Sequence, residues 1–384
     1  MTQTLHAGYV PLVDAAPLII ARALGFAEEE GLDLRLERAA SWSMLRDMLD
    51  FGQVDAAQML SVIPVARALG LGGGTVPLEA PMVLALNGET LGLSRRLAVN
   101  LDAPFGDALA MGQALGRLQG PLRMGVPFPF SMQTELLHYW LERAAPGVAV
   151  SIRTVPPPRM ADALQADEID GFCVGEPWGS HAVEVAGARL LLPGSAIWSQ
   201  APEKVLATRA GWCEAQPDAA GCLMRAVWRA GRWLAEPGNL LTAVEVLASP
   251  GHLGISADLI EHSLTGRIMV AADGSEARAD QFLTFHQGAA NFPWRSQAAW
   301  IAARLAARFG LDLQTAQDKA RACFRSDLYR LHLASAGAAL PRSSDKAEGI
   351  LSQAEQVPAT HGSLTLQRNR FFDGAIFDPA AGVR

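Results

Sequence analysis

Five positions in this chain of 384 residues carry groups suited to holding a small flat anion: Trp42, Gln58, Gln133, Gly175 and Lys204. An indole N–H, two carboxamides, backbone amides beside a glycine and one ammonium group can together satisfy the oxygens of such an ion. Each is ambiguous by itself. Trp42 alone reads first as an ordinary core ring, and Gln58 as a buried amide in need of any partner. An isolated lysine such as Lys204 is usually solvated, so only the constellation singles it out.

Two strand-to-helix turns strengthen the pattern. In Val126-Pro127-Phe128-Pro129-Phe130-Ser131-Met132-Gln133-Thr134-Glu135 a strand ends, a proline-rich turn follows and a helix begins. The free N–H groups and positive dipole end of such a helix favour an anion, with Ser131 as cap and Gln133 as donor. The same segment also reads as a plain capped helix. Gly175-Glu176-Pro177-Trp178 is the second turn, where Pro177 suits the first helical position and Gly175 lets backbone approach a ligand.

Catalytic chemistry is poorly represented. There is no GxSxG, HExxH or P-loop pattern, and no GxGxxG after a strand. The eight histidines are scattered, and neither His6 nor His138 has a cysteine or acid pair at catalytic spacing. Cys173, Cys213, Cys222 and Cys323 lack metal-ligand spacing and read as reduced thiols. A binding protein without metal or cofactor is expected, not an enzyme.

The elements that must position these groups alternate between short apolar strands and helical stretches, as in α/β folds with mainly parallel sheets. Strands are expected near His6–Val10, Leu32–Leu36, Asp55–Leu60, Leu122–Val126, Val148–Val155, Gly171–Val174 and Lys204–Thr208. Asp14 is expected to cap a helix over Ala15–Leu24, Ser41 or Ser43 the next, and helices are expected over Met132–Arg143, Gly221–Leu234 and Gln297–Phe309. Extended crossing segments divide the chain into a discontinuous first lobe, 1–88 with 200–384, and a second lobe, 89–199. Ligands in open α/β sheets sit beyond the carboxyl ends of strands, which points to Asp14, Trp42, Gln58, 131–133, Gly175 and Lys204. The tail after Ser335 is expected to wrap loosely over one lobe.

Half of the residues are apolar and 18% are charged, enough for two cores. The net charge of −7 gives no general attraction to nucleic acid or anionic lipid, so any bound anion must be drawn in locally. No apolar run is long enough for a membrane span. After Met1 there is no basic segment with an apolar stretch and cleavage site. A cytoplasmic protein is expected, or else a chain whose leader has been removed.

At this point the residues resemble a known family, the nitrate- and bicarbonate-binding proteins of ABC importers together with their cytoplasmic nitrate/nitrite sensor relatives. The resemblance is carried by Gly8-Tyr9-Val10-Pro11-Leu12-Val13-Asp14-Ala15-Ala16-Pro17-Leu18, Ala40-Ser41-Trp42 and Asp55-Ala56-Ala57-Gln58-Met59-Leu60. It continues in Tyr139-Trp140-Leu141, Val155-Pro156-Pro157-Pro158, Phe172-Cys173-Val174-Gly175-Glu176-Pro177-Trp178 and Pro202-Glu203-Lys204. It covers roughly Gly8 to Thr208 and is faint beyond.

The resemblance implies a two-lobed periplasmic-binding-protein type II fold with a hinge and an interlobe cleft. It places ligand-binding roles on Trp42, Gln58, Gln133, Gly175 and Lys204. Gln133 departs from the family, whose nitrate binders look to have histidine there, and an amide cannot become cationic. Lys204 stands where bicarbonate-binding relatives look to have an acidic residue with a bound cation, so nitrate or nitrite is expected over bicarbonate.

Of the roles open to such a fold, a NasS-type cytoplasmic sensor is foremost. It would regulate nitrate assimilation by controlling an RNA-binding NasT-type antiterminator, without touching nucleic acid itself. The alternatives are the solute-binding component of a nitrate ABC importer and an enzyme like the thiamine-pyrimidine synthases. The latter look to need a cysteine-rich motif and an active-site histidine that this sequence lacks. Lys204→Ala is expected to weaken anion binding while leaving folding nearly intact.

Overall fold

Alternation in Gln3–Tyr9 buries Leu5 and Ala7 in the same core as Leu32 and Leu34 of the next strand, which is how a half-buried sheet begins. The computed structural model describes residues 3–118, 120–380 and 382–383; Met1 lies outside them. Ten strands carry the architecture: Gln3–Tyr9 (β1), Leu32–Arg38 (β2), Ala56–Leu60 (β3), Leu78–Asn87 (β4), Glu89–Leu93 (β5), Leu122–Val126 (β6), Val150–Thr154 (β7), Gly171–Gly175 (β8), Arg189–Pro193 (β9) and Pro202–Arg209 (β10).

One sheet runs Leu283–Thr284, β4, β10, β3, β1, β2, and the other β7, β6, β8, β5, β9. β1 pairs in parallel with β2 and β3, as β6 does with β7 and β8. The strands that carry the chain between sheets are antiparallel: β10 to β3 and β4, and β5 to β8 and β9. Gly88 separates β4 from β5 at a φ of 97°, a left-handed turn that suits glycine, directly after Asn87 at 54°. The chain returns from β9 through Trp198 to β10. The molecule is therefore an α/β protein of two sheet-centred halves joined by two crossings.

Helix starts follow local chemistry. Ser131 is extended and its hydroxyl accepts from the Thr134 N–H at 3.2 Å, opening Met132–Ala144. That helix turns Met132, Leu136, Leu137 and Trp140 inward at helical spacing. Ser41 caps Trp42–Asp50 in the same way, accepting from Met44 N–H at 3.2 Å. Among the described residues no helix is long and apolar enough to cross a membrane.

The C-terminal half supplies helices Pro217–Leu234 and Arg295–Phe309, whose Trp228 and Trp300 are core residues. Ile268, Ala279 and Phe282 from the same half join the core of the second sheet, beside Phe172, Val174 and Leu190. The tail is docked rather than loose. Phe371 stacks on Trp198 with ring centroids 4.9 Å apart, Asn369 accepts from the Trp198 indole at 2.9 Å, and Asp373 accepts from Tyr139 Oη at 3.0 Å. Scattered aromatics and a few buried polar residues anchor it, which a polar composition conceals.

Ser131→Ala removes the cap of Met132–Ala144 and is expected to destabilise the protein by about 1 kcal/mol. The check is a lower urea midpoint with an unchanged slope.

Candidate functional site

Gln58 lies in the middle of β3 and is fully buried. Its Oε1 accepts from the Val10 N–H at 3.0 Å, and its Nε2 donates to the Asp14 carboxylate. Asp14 does not cap a helix: it sits in the 3-10 turn Val13–Ala15, and the following Ala16–Ala23 has no side-chain cap. Its second oxygen lies 2.8 Å from Lys204 Nζ. The reason is a matter of scale. A lost cap costs about 1 kcal/mol, whereas an unpaired buried ammonium costs several.

Lys204, on β10, is fully buried, as is its neighbour Glu203, and the two side chains bond each other. Strict strand alternation would send them to opposite faces. The pairing of β10 with β4 shifts register on both sides of Lys204, between Pro202 and Lys204 and again before Val205. Such a bulge re-aims side chains, and here both meet the same interior point. Nζ of Lys204 also lies 5.1 Å from the centroid of the Trp42 ring. Trp42 opens its helix from a buried position, and its indole N–H has no hydrogen-bond partner among the described residues.

The second half closes onto this point from the opposite side. Gln133, in the first turn of its helix, donates Nε2–H to the Glu203 carboxylate. Gly175 ends β8, where an added Cβ would lie 2.6 Å from Leu12 Cδ2, 3.5 Å from Asp14 Oδ2 and 3.9 Å from Gln133 Nε2. A side chain there would have to displace Leu12. The Val13 N–H donates to the Glu176 carbonyl at 3.0 Å, and the Trp178 indole donates to the Pro11 carbonyl at 2.9 Å. The Glu176 carboxylate faces away into its own half, accepting from Thr90 Oγ1 at 2.8 Å and Ser180 N–H at 3.1 Å.

All five positions singled out in the sequence thus gather at one buried junction between the halves. One expectation is corrected. Lys204 is not a lone, uncompensated charge, because Asp14 and Glu203 both pair with it and Glu89 lies close by. Burial works against the ammonium, but the two carboxylates outweigh it and push Lys204 up to about 12. Burial raises Asp14 and Glu203 above the usual carboxylate range even though Lys204 opposes it. Burial, and after it the charge of Glu203, pushes Glu89 well above that range.

Sequence reasoning missed Glu203 and Glu89; it also gave Asp14 a capping role, although it counted Asp14 among the residues expected at the site. An acid following Gly88 within the apolar run from Met82 to Leu93 was the one legible hint of Glu89. Among the described residues no group of three or more His, Cys, Asp or Glu is arranged to hold a metal ion. The arrangement offers an ammonium group, an unpartnered indole N–H and amide donors to a small ligand. It also confronts that ligand with carboxylates.

Comparisons with known proteins agree with this architecture. The model of the NMT1-like family matches residues 1–248. The nitrate import ATP-binding protein NrtC of Synechocystis is 33% identical over 79% of this chain, which spans only 45% of that relative's length. The nitrate/nitrite binding protein NrtA of Synechococcus elongatus is 30% identical, with 97% of this chain and 83% of that protein aligned. The crystal structure of the periplasmic nitrate-binding protein NrtA from Synechocystis superposes with a TM-score of 0.83 at 25% identity, covering 99% of this chain and 96% of that one. The two-lobed periplasmic-binding-protein fold follows from that superposition.

Gly175→Ala is expected to lower stability by about 1–3 kcal/mol through overpacking against Leu12. Leu12→Ala in the same chain should recover part of that loss, a coupling read from thermal or urea unfolding of the two single variants and the double.

Proposed function

Because this chain belongs to the NMT1-like family, we propose that it binds nitrate or nitrite at the junction of its two halves, through Trp42, Gln58, Gln133, Gly175 and Lys204. The observation that carries the reading is the gathering of these residues around one buried ammonium and its carboxylate partners, beside an indole N–H left without a partner. A buried donor lacking an acceptor is costly unless a ligand supplies one. A planar oxyanion has only acceptor oxygens, and an indole edge, two carboxamides and a lysine match them. Gln133 keeps a donor where the family's nitrate binders look to have histidine, without a histidine's option of positive charge. The relatives named as nitrate and nitrite binders favour the same ligand.

The role we infer is that of a cytoplasmic sensor of the NasS type, which holds a NasT-type RNA-binding antiterminator until the anion binds. Closure of two hinged halves changes which surfaces face outward, and so supplies the differential interaction that shifts a protein–protein equilibrium. The cysteines Cys173, Cys213 and Cys323 are buried free thiols, a pattern suited to a reducing compartment. A second reading, the solute-binding part of a nitrate importer, is favoured by the transport names of the relatives. Retention of the antiterminator on the immobilised protein, with and without nitrate, separates the two. Retention that nitrate leaves unchanged removes the sensor reading.

Lys204 is a poor first probe. Held between two buried carboxylates, it cannot be removed quietly: Lys204→Ala is expected to cost about 3–5 kcal/mol of stability. Trp42→Phe keeps the ring and deletes only the donor. Calorimetric titration with nitrate, nitrite, bicarbonate and an alkanesulfonate should show the first two binding best. Trp42→Phe should weaken nitrate roughly tenfold or more, as for a hydrogen bond to a charged group. Heat from none of the four ions would sink the ligand assignment.

A further inference from the structure

We propose that Glu203 competes with the incoming anion for Lys204 and yields only by accepting a proton, so that each anion bound takes up one proton from solvent. The inference rests on the ligand reading above. Its ground is the geometry of the cluster. Lys204 donates to Glu203 and forms an ion pair with Asp14 at 2.8 Å, and one oxygen of Glu203 also receives the Gln133 amide. The other oxygen of Glu203 is buried with no hydrogen-bond partner, and so are both oxygens of Glu89. A bare buried carboxylate oxygen is a natural place for a proton.

The groups facing Glu203 come from every element packed there. They are Lys204 on β10, Asp14 in the turn after β1, Glu89 at the start of β5, the Cys173 thiol on β8 and the Gln133 amide. Among the described residues, Lys204 is the one cation acting on Asp14, Glu203 and Glu89. Burial favours the neutral form of Glu89. Counted as ionised, Lys204 with Asp14 and Glu203 carries one net negative charge. Adding a monovalent anion to that set doubles the buried excess, whereas protonating Glu203 at the same time leaves it unchanged.

Protonation also reverses the hydrogen-bonding role of Glu203. A carboxylate can only accept, and so repels the oxygens of nitrate; a carboxylic acid donates to them. The proton moves from water to the Glu203 carboxylate and no covalent bond in the ligand changes. The sign is set by linkage. The bound anion raises the proton affinity of Glu203 further, so the complex holds more protons than the free protein, and affinity rises as pH falls.

The experiment is calorimetric titration of the full chain with nitrate from pH 6 to 8.5, in buffers of different ionisation enthalpy, which counts protons taken up. The wild-type protein should take up protons on binding nitrate, approaching one per nitrate wherever Glu203 is ionised in the free protein and protonated in the complex, with Kd weakening by up to about tenfold per pH unit there. Glu203→Gln, which keeps a carbonyl for Lys204 and Gln133, should bind nitrate more tightly at pH 8 and lose most of the pH dependence. No proton uptake by the wild type, or weaker binding with the slope retained in Glu203→Gln, overturns the proposal. Absence of nitrate binding at every pH in both proteins instead overturns the ligand reading. Should the variant fail to fold, the wild-type proton count decides alone.

Discussion

The buried ammonium of Lys204 dictates much of what surrounds it. A charge taken fully out of water needs partners on all sides, and the chain supplies them from distant segments: Asp14 after β1, Glu203 beside it on β10 and the Trp42 ring from the start of a helix. Asp14 is in turn held by Gln58, and Glu203 by Gln133 of the opposite half. One cation thereby ties the carboxyl-end loops of the first sheet to the helix start of the second. Gly175 lies beside the same cluster, where an added Cβ would meet the Leu12 side chain first and Asp14 next.

Much of the architecture was legible in residue patterns. Alternation in Leu32–Leu36, the proline-rich turn before Ser131 and the glycine after Phe172-Cys173-Val174 each announced an element that the structure contains. The return strand was visible at Lys204–Thr208, although pairing with β4 extends it to Pro202–Arg209. Strand ends are set by partners far away in sequence, and no local pattern encodes them. Of the five candidate residues, Gly175 ends a strand and Trp42 and Gln133 open helices, whereas Gln58 lies within β3 and Lys204 within β10.

The electrostatic balance was not legible. Pro202-Glu203-Lys204 reads as two charges on opposite faces, and only the register shift against β4 brings both into one interior. Asp14 followed the rule for helix caps and was diverted by a lysine 190 positions later, a long-range demand that outweighs a local preference. The tail misled for a related reason. Its glycines, serines and charges suggested loose wrapping, yet Glu348 is buried against Ser296, Asn369 and Lys346, and Phe371 packs on both Trp198 and Trp300.

That stack bears on how the halves move. Trp198 lies in the second crossing, the strip of chain that must bend if the halves part, and it is wedged by rings from the tail and from Arg295–Phe309. Asp373 reaches from the same tail to Tyr139 and Arg143 on the outer helix of the other half. The hinge is thus splinted from behind. Any parting of the halves would have to disturb aromatic packing on this side as well as the ion cluster on the other, so a change at Phe371 would alter that resistance without touching Lys204 or its partners.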